Sequence, residues 1–85
     1  MNEKTTKMLT VMDSVLVKLE DAKNTQESLI EKLNYIEVEL FDIQSKELDK
    51  ELENIKVKAG EVFDSIIETT EQFEIKRNKI ENETE

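Results

Sequence analysis

A heptad repeat of apolar residues runs along the first half of this 85-residue chain. Its members alternate at spacings of four and three: Met8, Met12, Val15, Leu19, Ala22, Gln26, Leu29, Leu33, Ile36, Leu40 and Ile43. At this period the residues form a stripe along one side of an α-helix, and such a stripe must be buried against another element. The repeat therefore predicts a long helix that packs on a partner helix.

A second repeat occupies the other half of the chain and is out of phase with the first. It comprises Leu48, Leu52, Ile55, Ala59, Val62, Ile66, Thr69, Phe73, Lys76 and Ile80. The five-residue step from Ile43 to Leu48 rotates the apolar stripe by about 140° on an ideal helix. A continuous rod would present its two stripes to different sides, whereas a reversal of the chain brings them together. We therefore predict an all-α fold, a two-helix antiparallel coiled-coil hairpin.

Polar and capping residues indicate where the elements of the hairpin begin and end. Helix one is expected over about 6–43, the turn over about 44–46, helix two over about 47–81, and a frayed polar tail over about 82–85, all in one helical domain. Thr5 or Thr6 is a candidate N-cap of helix one, and Ser45 of helix two. A third helix, if there is one, would begin at Gly60, because glycine weakens a helix interior by roughly 1 kcal/mol.

The two repeats can be aligned in two ways. We label the heptad abcdefg, with Met12, Leu19, Gln26, Leu33 and Leu40 at a in helix one and Leu52, Ala59, Ile66, Phe73 and Ile80 at a in helix two. An antiparallel seam is expected to pair a with d positions. One register places Ala22 opposite Ile66; the other places Ala22 opposite Phe73 and Gln26 opposite Thr69. The first register needs only a short turn and uses the whole chain, which favours it.

Further apolar residues lie beside the predicted seam, at the e positions. They are Leu9, Leu16, Ile30 and Phe63. They widen the stripe to the breadth typical of a helix in a larger bundle. We therefore expect two hairpins to dimerise into a four-helix bundle, with these residues as candidate partner-binding positions. A groove that accepts a helix of another protein is the alternative.

A smaller set of residues suggests a contact patch near the turn. Tyr35, Val38 and Phe41 follow one another at a spacing of three, so they share one side of helix one. Exposed aromatic residues are typical of binding sites, which makes these three candidate partner contacts; self-association or cover by a third helix are the alternatives. Gln26, the polar member of the first repeat, is a candidate for setting the register, or is solvated where the helices part.

The composition argues against catalysis. The chain has no histidine, cysteine or tryptophan, which excludes histidine-based triads, thiol nucleophiles and Cys/His zinc sites within it. Its aspartates lack the spacing of a calcium loop. Glutamates one turn apart, such as Glu27 and Glu31, are typical of a solvated acidic face. We expect no enzyme activity, no cofactor and no metal site.

The charge of the chain limits its partners. With a formal net charge of −9, it should be repelled by nucleic acid and by anionic membrane surfaces. No apolar run reaches the roughly 20 residues that a membrane-spanning helix needs. A cleaved signal peptide is poorly supported, so we expect a cytoplasmic protein or one secreted without such a signal.

Two functional hypotheses follow from these features. The first is a small acidic protein that acts by protein–protein interaction, as a homodimer and with another protein. The second is an acidic inhibitor or antitoxin-like protein that blocks a basic surface of a target, for which steep salt dependence would be diagnostic.

In its size and mid-chain turn, the sequence also resembles the W-x-G helical-hairpin proteins that type VII systems export. The resemblance implies a secretion-associated hairpin that has a partner hairpin. Two features depart from that family. The turn Gln44-Ser45-Lys46 has neither Trp nor Gly, and Tyr35-x-x-x-Glu39 lies inside helix one rather than in a C-terminal tail. The likeness is therefore one of shape.

Overall fold

The computed structural model describes residues 2–83, which form two antiparallel helices: α1, Glu3–Leu40, and α2, Lys46–Glu83. Each helix has 38 residues and is about 57 Å long at 1.5 Å per residue. The hairpin is correspondingly thin, with dimensions of 63 × 15 × 13 Å. The prediction of an all-α hairpin of two packed helices is confirmed. Gly60 lies inside α2, and within the described residues no third helix begins there.

The start of α1 differs from the prediction. The side chain of Asn2 accepts a hydrogen bond from the N–H of Thr5 at 2.8 Å, so Asn2 is the N-cap. The predicted threonine cap is wrong because both threonines already lie in the helix, where the hydroxyl of Thr6 donates to the carbonyl of Asn2 at 3.1 Å. Glu3 follows the cap and lies at the positive end of the helix dipole.

The chain reverses over residues 41–45, slightly before the expected turn. The N–H groups of Ile43 and Gln44 both donate to the carbonyl of Leu40 at 3.1 Å. Gln44 has a φ of 55°, a left-handed conformation that costs a residue other than glycine roughly 1–2 kcal/mol. The hydroxyl of Ser45 accepts a hydrogen bond from the N–H of Leu48 at 3.3 Å, which confirms the predicted cap of α2.

The far end of α2 is longer than expected. The helix continues to Glu83, so the predicted fraying does not begin at residue 82. Residues 84 and 85 of the predicted tail lie outside the described residues.

The helices pair in the first of the two predicted registers. The amide Nε2 of Gln26 donates to the carbonyl oxygen of Ala59 at 2.9 Å. In the alternative register Gln26 would face Thr69, which is about 15 Å further along α2 than Ala59. Leu33 packs in the same cluster as Leu52 and Ala59, which fits the same alignment.

The predicted pairing of a with d positions is wrong, because other heptad positions form the seam. Leu9, at e, is buried, and so are four a residues: Met12, Leu33, Leu52 and Ala59. Each helix is therefore rotated by about 50° from the expected orientation, so that its a and e rows face the other helix. The rotation is favourable because most e residues are either apolar or have long stems that pack while their charged ends reach water; Asp49 and Thr70 are the exceptions.

This rotation leaves most residues of the two d rows exposed beside the seam, although Val15 is half-buried. We call the side of the hairpin that carries them the apolar side; it comprises Met8, Val15, Leu29 and Ile36 of α1 and Leu48, Ile55 and Val62 of α2. We call the opposite side, which carries the b rows, the polar side; it includes Asp13, Glu20, Glu27 and Asn34 of α1 and Glu53 and Glu74 of α2. The two sides flank the same seam and differ in chemistry.

Candidate protein-interaction surfaces

A groove opens on the apolar side near the turn. Its lining comes from both helices: Leu33, Ile36, Leu40, Leu48, Glu51, Leu52 and Ile55. Leu33 is 6% exposed and belongs to the seam, whereas Ile36 is 45% exposed and Ile55 is 49% exposed. Since d residues of both helices line one groove, both d rows belong to the same side of the hairpin.

A second hollow continues this side away from the turn. It is lined by Leu19, Glu61, Val62, Ser65, Ile66 and Thr69. Here α2 contributes more polar side chains than it does near the turn: Glu61, Ser65 and Thr69 line the hollow, and Thr69 occupies a d position that is aliphatic near the turn. The apolar character of this side is therefore strongest in the half of the hairpin that contains the turn.

Lysines border the apolar side, although the chain as a whole is acidic. The g rows beside it contain five lysines, Lys4, Lys18, Lys32, Lys58 and Lys79, and two glutamates, Glu39 and Glu51. The excess negative charge of the chain therefore lies on the polar side and on the outer faces of the helices. The hairpin therefore has two chemically distinct surfaces.

Ion pairs join the helices on the polar side. The guanidinium of Arg77 makes a bidentate contact with Asp13, from Nε to Oδ1 at 2.7 Å and from Nη2 to Oδ2 at 3.2 Å. Its Nη1 lies 2.6 Å from the carboxylate of Glu81. The hydrogen bond to Asp13 is the main cause that raises the pKa of Arg77, and partial burial opposes it. This end of the hairpin is held by a planar, charge-assisted contact.

A second ion pair lies nearer the turn. Lys56 Nζ donates to Glu37 Oε2 at 2.8 Å, with the lysine side chain 25% exposed. This hydrogen bond raises the pKa of Lys56, while desolvation acts in the opposite direction. Both residues are at e, so their stems cover the seam and their charges meet at its edge.

The predicted e-row contacts are placed between the two helices. Leu9 is buried, and Leu16, Ile30 and Phe63 are half-buried in the seam. These side chains offer less surface to a second protein than the d rows do. Periodicity alone does not decide this outcome, because helix one has apolar residues in both its d and its e row and only one of these rows can join a two-helix seam.

Gln26 is half-buried, and its bond to Ala59 crosses the seam. The alternative in which Gln26 is merely solvated is therefore wrong. Whether the residue sets the register stays a prediction.

The predicted patch near the turn is exposed. Tyr35 and Val38 are each 62% exposed and Phe41 is 73% exposed. The hydroxyl of Tyr35 donates to Glu31 at 2.9 Å. That hydrogen bond, together with the negative charge of Glu31, raises the pKa of the Tyr35 phenol.

Phe41 also lines a small groove on the polar side of the hairpin. The other lining residues are Glu37, Asp49, Leu52 and Glu53. An aromatic ring and a leucine thus lie among three carboxylates, one of which is bonded to Lys56. Sequence reasoning identified Phe41 and missed Asp49 and Glu53, because their proximity depends on the rotation of α2.

Two other kinds of site are absent from the described residues. Between residues 2 and 83, no group of three acidic side chains lies close enough together to hold a metal ion. Neither α1 nor α2 contains a stretch long and apolar enough to cross a membrane.

Comparison of the chain with protein-family models, with curated proteins and with solved structures finds no match.

Proposed function

We propose that this chain is a small non-enzymatic protein that acts by protein–protein interaction, and that two copies pack through their apolar sides into a four-helix bundle. The observation that carries the proposal is the exposure of apolar d residues on both helices of one side. Ile36 and Ile55 belong to the heptad repeats, yet nearly half of each side chain is open.

The total surface of the hairpin supports this proposal. The chain exposes 6750 Å², whereas a folded monomer of 10.0 kDa is expected to expose about 5,200 Å². The excess of about 1,500 Å² is larger than the roughly 800 Å² that each partner buries in a standard interface. A second protein that packs on the apolar side would bury part of this excess surface.

A second copy is the occupant that best matches the pattern. Each helix uses its a and e rows against its neighbour in the hairpin and keeps the adjacent d row for another helix. A helix with two such contact faces is typical of a bundle of four. Two identical faces can meet across a two-fold axis, so no further protein is needed to complete the core.

Light scattering coupled to size exclusion tests the proposal. The wild-type chain is expected at about twice its monomer mass of 10.0 kDa. The double variant Ile36→Glu/Ile55→Glu should be monomeric and still helical by circular dichroism, because its new carboxylates cannot be desolvated in an apolar interface. A monomeric wild type at high micromolar concentration would refute dimerisation.

A charge-matched control is available on the outer faces of α2. Val57 and Ile75 are 52% and 68% exposed and lie off the apolar side. The variant Val57→Glu/Ile75→Glu adds the same charge and should remain dimeric. Glutamate at Leu16 and Ile30 should instead unfold the hairpin, because these residues lie in the seam.

A further inference from the structure

We infer that the groove around Phe41 is a docking site for a basic segment of another protein. The inference rests on the proposed role in protein–protein interaction, but it does not require dimerisation. The groove lies on the polar side, so it would remain open when the apolar sides of two hairpins are covered.

The side chains that line the groove indicate what kind of segment would bind there. Among the large apolar residues between positions 2 and 83, Phe41 is the most exposed, at 73%, and the groove places it with Asp49 and Glu53. A lysine or arginine of a partner can lie over the aromatic face while its charge meets the carboxylates. An acidic or neutral apolar segment would leave those carboxylates without a compensating charge, which disfavours it.

The neighbouring patch extends the site beyond one cation. Val38 and Tyr35 continue from Phe41 across the outer face of α1, and both are 62% exposed. They provide apolar contact area beside the cation position, which is the pattern of an aromatic anchor within a polar rim. A segment with basic residues at one edge and aliphatic residues at the other therefore fits the surface.

The two sides of the hairpin should differ in how strongly they attract such a segment. Lysines outnumber glutamates beside the apolar side, whereas carboxylates outnumber lysines on the polar side, so a basic partner is attracted more strongly to the groove around Phe41. Steering of this kind speeds association and weakens with salt, whereas the aromatic contact persists at higher ionic strength.

The test uses a helical peptide of leucine and lysine, without tyrosine or tryptophan, titrated into the full chain. The fluorescence of Tyr35, the single tyrosine of a protein without tryptophan, reports binding. Amide chemical shifts show where the peptide lies, and they should change at Tyr35, Val38, Phe41, Asp49 and Glu53. Changes centred on Ile36 and Ile55 would overturn the inference.

Matched variants separate a site from general charge attraction. The variants Phe41→Ala and Asp49→Asn/Glu53→Gln should each weaken binding about tenfold, the effect of losing one good contact. Ile75→Ala and Glu27→Gln/Glu74→Gln remove an equally exposed apolar side chain and the same charge elsewhere, and should change affinity less than about twofold. Equal losses in the site variants and their controls would overturn the inference.

The oligomeric state distinguishes failure of this site from failure of the proposed dimer. A dimer that does not bind the peptide refutes only the docking site, and a monomer that binds it refutes only the bundle. Phosphatidylcholine vesicles serve as a second probe. Binding to vesicles that is lost in Phe41→Ala, without binding to the peptide, would assign Phe41 to a lipid surface and would also overturn the inference.

Discussion

The polar and apolar sides of the hairpin lie at equal angles from the same seam. They differ in how the edge of the seam is covered. On the polar side, Arg77 and Lys56 reach across to Asp13 and Glu37 and cover the edge of the seam. On the apolar side, aliphatic d residues such as Ile36 and Ile55 remain nearly half exposed. This difference is the basis of the proposed four-helix bundle.

The largest expected effect is the difference in lost stability between a variant in the seam and a variant on the apolar side. Leu33→Ala removes a side chain that is 6% exposed and should lower the free energy of unfolding by about 2–5 kcal/mol. Ile36→Ala, one turn further on, should cost the isolated hairpin about half as much, because its side chain is already 45% exposed. Urea unfolding followed by circular dichroism measures both.

The two variants should also differ in their response to protein concentration. The cost of Ile36→Ala should increase as the concentration rises, because the side chain becomes buried when two hairpins associate. Equal costs for the two variants at low concentration would contradict the assignment of Leu33 to the seam and Ile36 to the open side.

The architecture was accessible from the sequence because it depends on regularities that extend over many residues. Two long repeats and the five-residue phase change between them specify two helices and a reversal. Ser45 marks the start of α2 because its hydroxyl caps the helix. The register followed from matching the lengths of the two repeats, and the bond from Gln26 to Ala59 agrees with it.

The rotation of each helix about its own axis could not be predicted from the sequence. The interaction surfaces depend on this rotation. Leu9 at e and Met8 at d are both apolar, so periodicity alone leaves the seam uncertain by about 50°. The choice depends on how a whole row packs, including the stems of Lys56 and Arg77. Exposure of Phe41 followed from spacing within α1, whereas its neighbours Asp49 and Glu53 required the position of α2.

Gln26 tests whether the seam is specified by a polar contact as well as by apolar burial. Gln26→Ala should lower stability by about 1 kcal/mol, since it removes one partly buried hydrogen bond. Gln26→Leu should recover that loss through apolar packing and admit the shifted register, which would appear as a second set of amide resonances. A single set of resonances for Gln26→Leu would show that Gln26 does not set the register.

Alkaline pH should weaken the polar side and leave the apolar side intact. The hydrogen bond to Glu37 raises the pKa of Lys56 above its ordinary value of 10.5. Stabilisation by this pair is therefore fully present below pH 10.5 and is lost as the pH rises through the higher pKa of the folded state. Unfolding of wild type and Lys56→Met, compared between pH 8 and about 11.5, should show that the methionine variant loses less stability over this interval.

The titration of Tyr35 should give the smallest and most local effect. In the folded chain its phenol donates to Glu31 and lies beside the negative charge, and both raise its pKa above 10.0. Ultraviolet absorbance of the single tyrosine should therefore titrate at a higher pH in wild type than in Glu31→Gln. Because the pair lies on the outer face of α1, the shift should be the same in the monomeric Ile36→Glu/Ile55→Glu variant. A shift that disappears in that variant would mean that association reaches this face, and the separation of the two surfaces would then be wrong.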